Sequence, residues 1–236
     1  MMRKACKILL GVVWTVWLVA ALALAVGVVI FERASQTYVV PIKIASGATA
    51  QAEVYRWKEA PLWLDARFGD RPGARPGEPR PELGEYSVPV DTPKGAYPRF
   101  ANPGEPLRVR VRRDDGAEVL LAATPTSASS ARHYYRDLYP AVVIDGTVTR
   151  DQEPAFMLAE GTNNLTFTIE AAGAALGGET IDLVVNSPIA LKRTARGYEN
   201  LSTLLFWPIL AQLLGVVLLV LLGLTWWYRR RARRAA

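Results

Sequence analysis

Ser129, Ser130, His133 and Asp137 stand close together, and a hydroxyl, an imidazole and a carboxylate are the parts of an acyl-transfer triad. Their spacing argues against that use. Triads are assembled from separate elements around an oxyanion hole, whereas these residues fall within one turn or short helix and no Gly-x-Ser-x-Gly elbow accompanies them. His133 is the single histidine and Cys6 the single cysteine. With the two expected on opposite sides of a membrane, a Cys/His zinc centre, a His-rich copper site, bis-histidine haem ligation and a Cys-His dyad are excluded within one chain. No Walker motif or Gly-x-Gly-x-x-Gly run is present, and "GAALGG", Gly173 to Gly178, reads as a turn between two strands. Paired carboxylates for glycoside hydrolysis have no fixed spacing in sequence and stay open. The expectation is a protein that is not an enzyme and holds no cofactor or metal.

Binding chemistry is better represented. "RHYYRDLYP", Arg132 to Pro140, is the densest aromatic and charged run in the chain. Arg132, Tyr134, Tyr135, Arg136 and Tyr139 have the composition of a protein interface hot spot and form the candidate periplasmic interface. The alternative is that they cap one end of the folded domain. The surrounding stretch "SSARHYYRDLY" is the best helix candidate outside the ends of the chain. Arg108, Arg110 and Arg112 alternate along a second run and line one strand face, suited either to an anionic glycan or lipid headgroup or simply to solvent.

The elements that must position these residues begin with two apolar segments. Ile8 to Phe31 and Leu204 to Tyr228 contain no charge, and the chain is 50% hydrophobic overall. At about 1.5 Å per residue either segment spans a hydrocarbon core of roughly 30 Å. The first is too long for a signal-peptide core, and "FERASQ" offers no clear cleavage site.

Charge sets the expected orientation. All 22 acidic residues lie between Glu32 and Glu199, while Arg3, Lys4, Lys7 and five arginines after Tyr228 face no acidic residue. The net charge of +6 is thus a membrane-orientation signal and not a nucleic-acid footprint. The expected topology has residues 1–7 and 229–236 in the cytoplasm, transmembrane helices over 8–31 and 204–228, and a periplasmic domain over 32–203. Trp226, Trp227 and Tyr228 suit the headgroup level at one end of the second helix and Trp207 the other, about 30 Å away. Trp14 and Trp17 either mark the inner boundary of the first helix or pack on a neighbour. Ala20, Ala23 and Gly27 form a small-residue stripe on the first helix, and Gln212 stands beside Gly215 on the second; these are the candidate helix-packing residues.

Between the spans the hydrophobic period changes to two. "TYVVPIKI" places Tyr38, Val40, Ile42 and Ile44 on one face; "LTFTIEA" does the same with Leu165, Phe167 and Ile169, and "TIDLVV" with Ile181, Leu183 and Val185. Asp115-Gly116 predicts a two-residue hairpin that sets Arg113 opposite Glu118, Val111 opposite Leu120 and Val109 opposite Ala122. Gly69 to Gly84 is rich in proline and glycine and is expected to be an extended or mobile loop. "FMLAEGTNNLTFTIEA" resembles a strand-turn-strand phrase of jelly-roll and carbohydrate-binding-like sandwiches, which implies architecture and no ligand. The expected fold is a membrane-anchored all-β protein, two transmembrane helices flanking a jelly-roll-like antiparallel β-sandwich. The expected role is an accessory or scaffold subunit of a larger complex in the bacterial inner membrane, in contact with membrane lipids and integral-membrane proteins. The second reading is a glycan- or lipid-binding module in envelope polysaccharide biosynthesis or export.

Overall fold

The computed structural model describes residues 2–233 except 72–74, 76–77, 86–88, 91–98, 101, 131, 145–146 and 151–155. It forms two units, Gln36–Pro188 on one hand and Met1–Ser35 with Ile189–Ala236 on the other.

The central unit is antiparallel β-sheet. Its strands are β1 (Tyr38–Lys43), β2 (Thr49–Arg56), β3 (Ala60–Pro61), β4 (Leu64–Gly69), β5 (Pro89–Val90), β6 (Arg99–Phe100), β7 (Leu107–Arg113), β8 (Glu118–Ser129), β9 (His133–Ile144), β10 (Thr147–Arg150), β11 (Met157–Leu158), β12 (Gly161–Ala172) and β13 (Thr180–Val185). The principal sheet runs β1-β13-β4-β9-β8-β7-β12-β2, with β10 added to β9. Strands β1 and β2 end this order yet lie beside each other, so the sheet curls into a nearly closed barrel. Two separate sheets were expected. Instead one unbroken order carries both walls, and its interior is packed by the faces read from the alternation: Val40, Ile42 and Ile44; Leu165, Phe167 and Ile169; Ile181, Leu183 and Val185.

Side chains close the seam between β1 and β2. The Tyr38 hydroxyl accepts from the Tyr55 N–H at 3.0 Å and donates to Gln36 Oε1 at 2.8 Å. Arg56 is fully buried beside it, donating to the carbonyls of Gln36, Tyr55 and Asn186 with its guanidinium 5.7 Å from the Tyr38 ring centre. One arginine therefore ties together the points where the chain enters and leaves the barrel.

Two expectations are corrected here. The hairpin between β7 and β8 has a three-residue loop, Asp114 to Gly116, because Gly116 takes the left-handed conformation (φ 89°) and the Arg113 N–H reaches Ala117 O at 2.8 Å. The register moves by one residue: Arg112 faces Glu118, Val111 faces Val119 and Val109 faces Leu121. Leu120 consequently turns outward, 43% exposed, and Glu118 pairs with Arg110 at 2.9 Å rather than with Arg113. Arg113 binds Asp115 instead, and that hydrogen bond holds the Asp115 carboxyl down at about 2.

The helix expected over Ser129 to Tyr139 is instead the end of β8 and most of strand β9, which is hydrogen-bonded to β4 on one side and β8 on the other. Short sequence clustering cannot outweigh two ladders and a buried inner face. The Gly69–Gly84 segment, some of which lies outside the described residues, is stapled at its end. Leu83 is fully buried, and Arg80 donates to both oxygens of Glu179 (2.7 and 2.8 Å), to Glu82 (2.7 Å) and to Gly69 O (2.7 Å). Burial, the largest single influence, would raise the Glu82 carboxyl, but hydrogen bonding to Arg80 and to the backbone, together with the charges of Arg80 and Arg71, holds the group below its usual value. Gly84 and Gly104 cross here at backbone contact: a Cβ on Gly104 would lie 2.4 Å from the Gly84 nitrogen.

The other unit contains α1 (Met2–Ala34), α2 (Glu199–Ser202) and α3 (Trp207–Arg233). α1 and the α2–α3 segment each hold a stretch long and apolar enough to cross a membrane, with mean hydropathy 2.5.

Candidate interaction surfaces

The two long helices pack on each other. On α1 the less exposed positions include Leu10, Trp14, Trp17, Ala21, Leu24 and Val28, and on α3 they include Ala211, Leu214, Leu218, Leu221, Thr225 and Tyr228. Steps of three and four alternate in both sets, the 3.5-residue period of a coiled-coil seam. Trp14 Nε1 donates to Thr225 Oγ1 at 3.1 Å and Trp17 Nε1 to Leu214 O at 2.9 Å. The two rings meet edge to face at 5.9 Å. These tryptophans thus pack on the neighbouring helix.

The candidate helix-packing residues are distributed around this seam. Gly27 lies against it: a Cβ there would sit 3.4 Å from Leu204 Cδ1. Ala20 and Ala23 are exposed, turned away from α3. Gln212 is also exposed, with no hydrogen bond from its amide to the described residues, and Gly215 is half-buried with open space before its Cα. Residues Ala21, Leu24 and Val28, one step round the helix from the stripe, do the packing. The sequence carried their signal as a strict heptad continuing from Leu10. At the membrane-interface positions, Trp207 and Tyr228 are half-buried while Trp226 and Trp227 are exposed. Arg230 and Arg231 stack over Trp226 and Trp227 at 5.1 and 5.3 Å.

Strand periodicity divides the aromatic cluster of β9. Tyr135, Asp137 and Tyr139 face outward; Arg136 and Leu138 are buried and Tyr134 packs against the core. Arg136 donates to the carbonyls of Thr124 (2.7 Å), Glu105 (2.8 Å), Pro103 (3.0 Å) and Ala123 (3.3 Å). Burial pushes its guanidinium down to about 10, partly opposed by Glu105, so it is still charged at neutral pH. Arg136 therefore offers no surface and is a correction to the candidate interface. Tyr134 donates its hydroxyl to Glu78 O at 2.7 Å, fastening the proline-rich segment. Arg132 is exposed at the turn before the strand.

The outer face joins Tyr135 and Tyr139 to residues that the cluster did not include. Asp137 accepts from Ser127 Oγ at 2.6 Å and from the Tyr139 hydroxyl at 3.0 Å, and it faces Asp65 across the β4–β9 ladder. Asp65 in turn accepts from Asn186 Nδ2 at 2.7 Å, and Arg67, opposite Tyr135, pairs with Asp182 at 2.8 Å. The alternation of "LWLDARFG" signalled that Asp65 and Arg67 share a face, but the neighbouring strand was not readable from it. His133 does not meet Asp137 in a triad; Ser127 takes that carboxylate.

A second outer-face feature is a groove of about 420 Å³ across β2, β12 and β7, lined by Gln51, Glu53, Arg112, Asn164 and Thr166. Of the arginine stripe, Arg110 is bound to Glu118 and Glu170, whereas Arg112 opens on this groove.

No family model matches the chain, and no curated protein does. Among solved structures, the crystal structure of GEBA250068378 from Sulfurospirillum deleyianum aligns with a TM-score of 0.40 and 15% identity, covering 64% of this chain and 97% of its own.

Proposed function

We propose that the protein is a non-enzymatic subunit of a larger complex in the bacterial inner membrane, with both helices crossing the bilayer, both termini cytoplasmic and the barrel in the periplasm. The observation that carries this reading is Gln212. It lies in the apolar span about 7 Å along the helix from Trp207, outside the intramolecular seam. An amide in hydrocarbon gains about 0.6 to 2 kcal/mol from a partner, and α1 does not supply one. Ala20 and Ala23 leave room for another helix to approach on the outer side of α1. The eight uncompensated basic residues support the orientation.

Replacing Ala20, Ala23 and Gln212 with leucine tests this without touching the seam. Detergent-purified variant protein should lose the membrane partner that a photo-crosslinker at position 212 captures from the native chain. Adducts with lipid alone at position 212 would sink the proposal. Single cysteines placed in a Cys6→Ser background should label from outside intact spheroplasts near Gly69 and not beyond Arg229.

The groove lined by Arg112, Asn164, Thr166 and Gln51 favours a second reading, a periplasmic module for glycans, since amide, hydroxyl and guanidinium donors together suit sugar hydroxyls. Retention of the full chain on an acidic-polysaccharide matrix, lost in Arg112→Ala, would favour it.

A further inference from the structure

Antiparallel packing brings the two ends of the helix pair to one level. The Trp14–Thr225 hydrogen bond fixes α1 against α3. Lys7 lies seven residues beyond Trp14 and Arg231 six beyond Thr225, so each is about 10 Å past that bond. Arg3, Lys4 and Lys7 therefore share one end of the pair with Arg229, Arg230, Arg231 and Arg233.

The heptad sharpens this placement. Lys7 stands one heptad before Trp14, at a position that continues the seam. At Lys7 the apolar face of α1 thus gives way to a cation, level with the last turns of α3. Like charges gathered at one end of a helix pair repel unless an anion lies among them. No acidic side chain stands before Glu32 or after Glu199 to fill that role. Arg230 and Arg231 meanwhile rest on Trp226 and Trp227, residues whose rings favour the headgroup level.

We infer that this end of the helix pair is a phospholipid-headgroup site built jointly by both helices, and that it prefers a lipid carrying two phosphates. A single phosphate satisfies the cations of one helix. A lipid with two reaches both, the second contact being intramolecular, and guanidinium forks match phosphate oxygens in pairs. The inference rests on the membrane-spanning reading of α1 and α3.

The test is native mass spectrometry of the full chain in mild detergent, titrated with cardiolipin, phosphatidylglycerol and phosphatidylcholine. Cardiolipin should be retained about tenfold more tightly than phosphatidylglycerol, as expected for two linked contacts, with phosphatidylcholine not retained. Changing Arg3, Lys4 and Lys7 to Gln, or Arg229, Arg230, Arg231 and Arg233 to Gln, should each reduce cardiolipin to the phosphatidylglycerol level. Equal retention of the two anionic lipids by the native chain overturns the shared site, whatever the variants do. So does a loss that follows the number of charges removed regardless of helix. Release of the chain from vesicles by alkaline carbonate would instead overturn the spanning reading itself.

Discussion

The helix pair and the barrel respond differently to a one-residue error in reading. On α1 a shift of one position moves a side chain by about 100° around the axis, so Gly27 still touches the seam although the stripe through Ala20 and Ala23 lies off it. In the barrel the same shift moves every side chain to the opposite face of the sheet. That is why Leu120, expected beside Val111 in the apolar face, is exposed, and why Arg136, grouped with surface tyrosines, is buried. Helical faces degrade gradually under error, while strand faces invert.

The strongest way to break this comparison is at Arg136. Arg136→Leu removes the donor to four carbonyls inside the barrel and should lower stability by at least about 3 kcal/mol, since unsatisfied buried polar groups cost about 1 to 3 kcal/mol each. Denaturant unfolding of the detergent-solubilised chain measures it, and a loss below about 1 kcal/mol would place the side chain on the surface after all.

Next come two glycines of the barrel. Gly104→Ala forces a Cβ into the backbone of Leu83 and Gly84 and should cost several times more than Gly116→Ala, whose positive φ carries strain of about 1 kcal/mol but whose surroundings are open. Equal midpoints for the two variants would remove the crossing of these segments from the account.

For the helices, Gly27→Leu overfills the contact with Leu204 and should weaken the pairing by about 1 to 3 kcal/mol, whereas Ala20→Leu should leave it unchanged. Disulfide formation between cysteines at Leu10 and Tyr228, in a Cys6→Ser background, reports the difference. The comparison sharpens if only Gly27 responds.

A smaller effect concerns pH. The Glu82 carboxyl is held below the ordinary carboxylate value of 4.5, so its contribution is present above that pH and disappears as pH falls through the lower folded value. Proteolysis near Gly69–Gly84 should therefore accelerate on acidification below about 4.5, and the Glu82→Gln chain should lack that step. The smallest effect tests register alone. In a double-mutant cycle Glu118→Gln should couple to Arg110→Gln and not to Arg113→Gln.

The sequence by itself determined the elements whose cause is local. Charge-free length gave two helices able to span a membrane, and period-two alternation gave the inner faces of β1, β12 and β13, because burial on one side imposes those patterns along a single segment. Gly116 marked the β7–β8 turn for the same reason. Tertiary structure alone decided what depends on which segments become neighbours. The pairing of β9 with β4 and β8 turned a helical-looking run into a central strand, and it set Asp137 against Asp65 and Ser127. Burial of Arg56 and Arg136 was equally unreadable, since an arginine is stable inside only where several distant carbonyls converge. That convergence is a property of the closed barrel, where residues far apart in the chain share one interior, and no single stretch of sequence contains it.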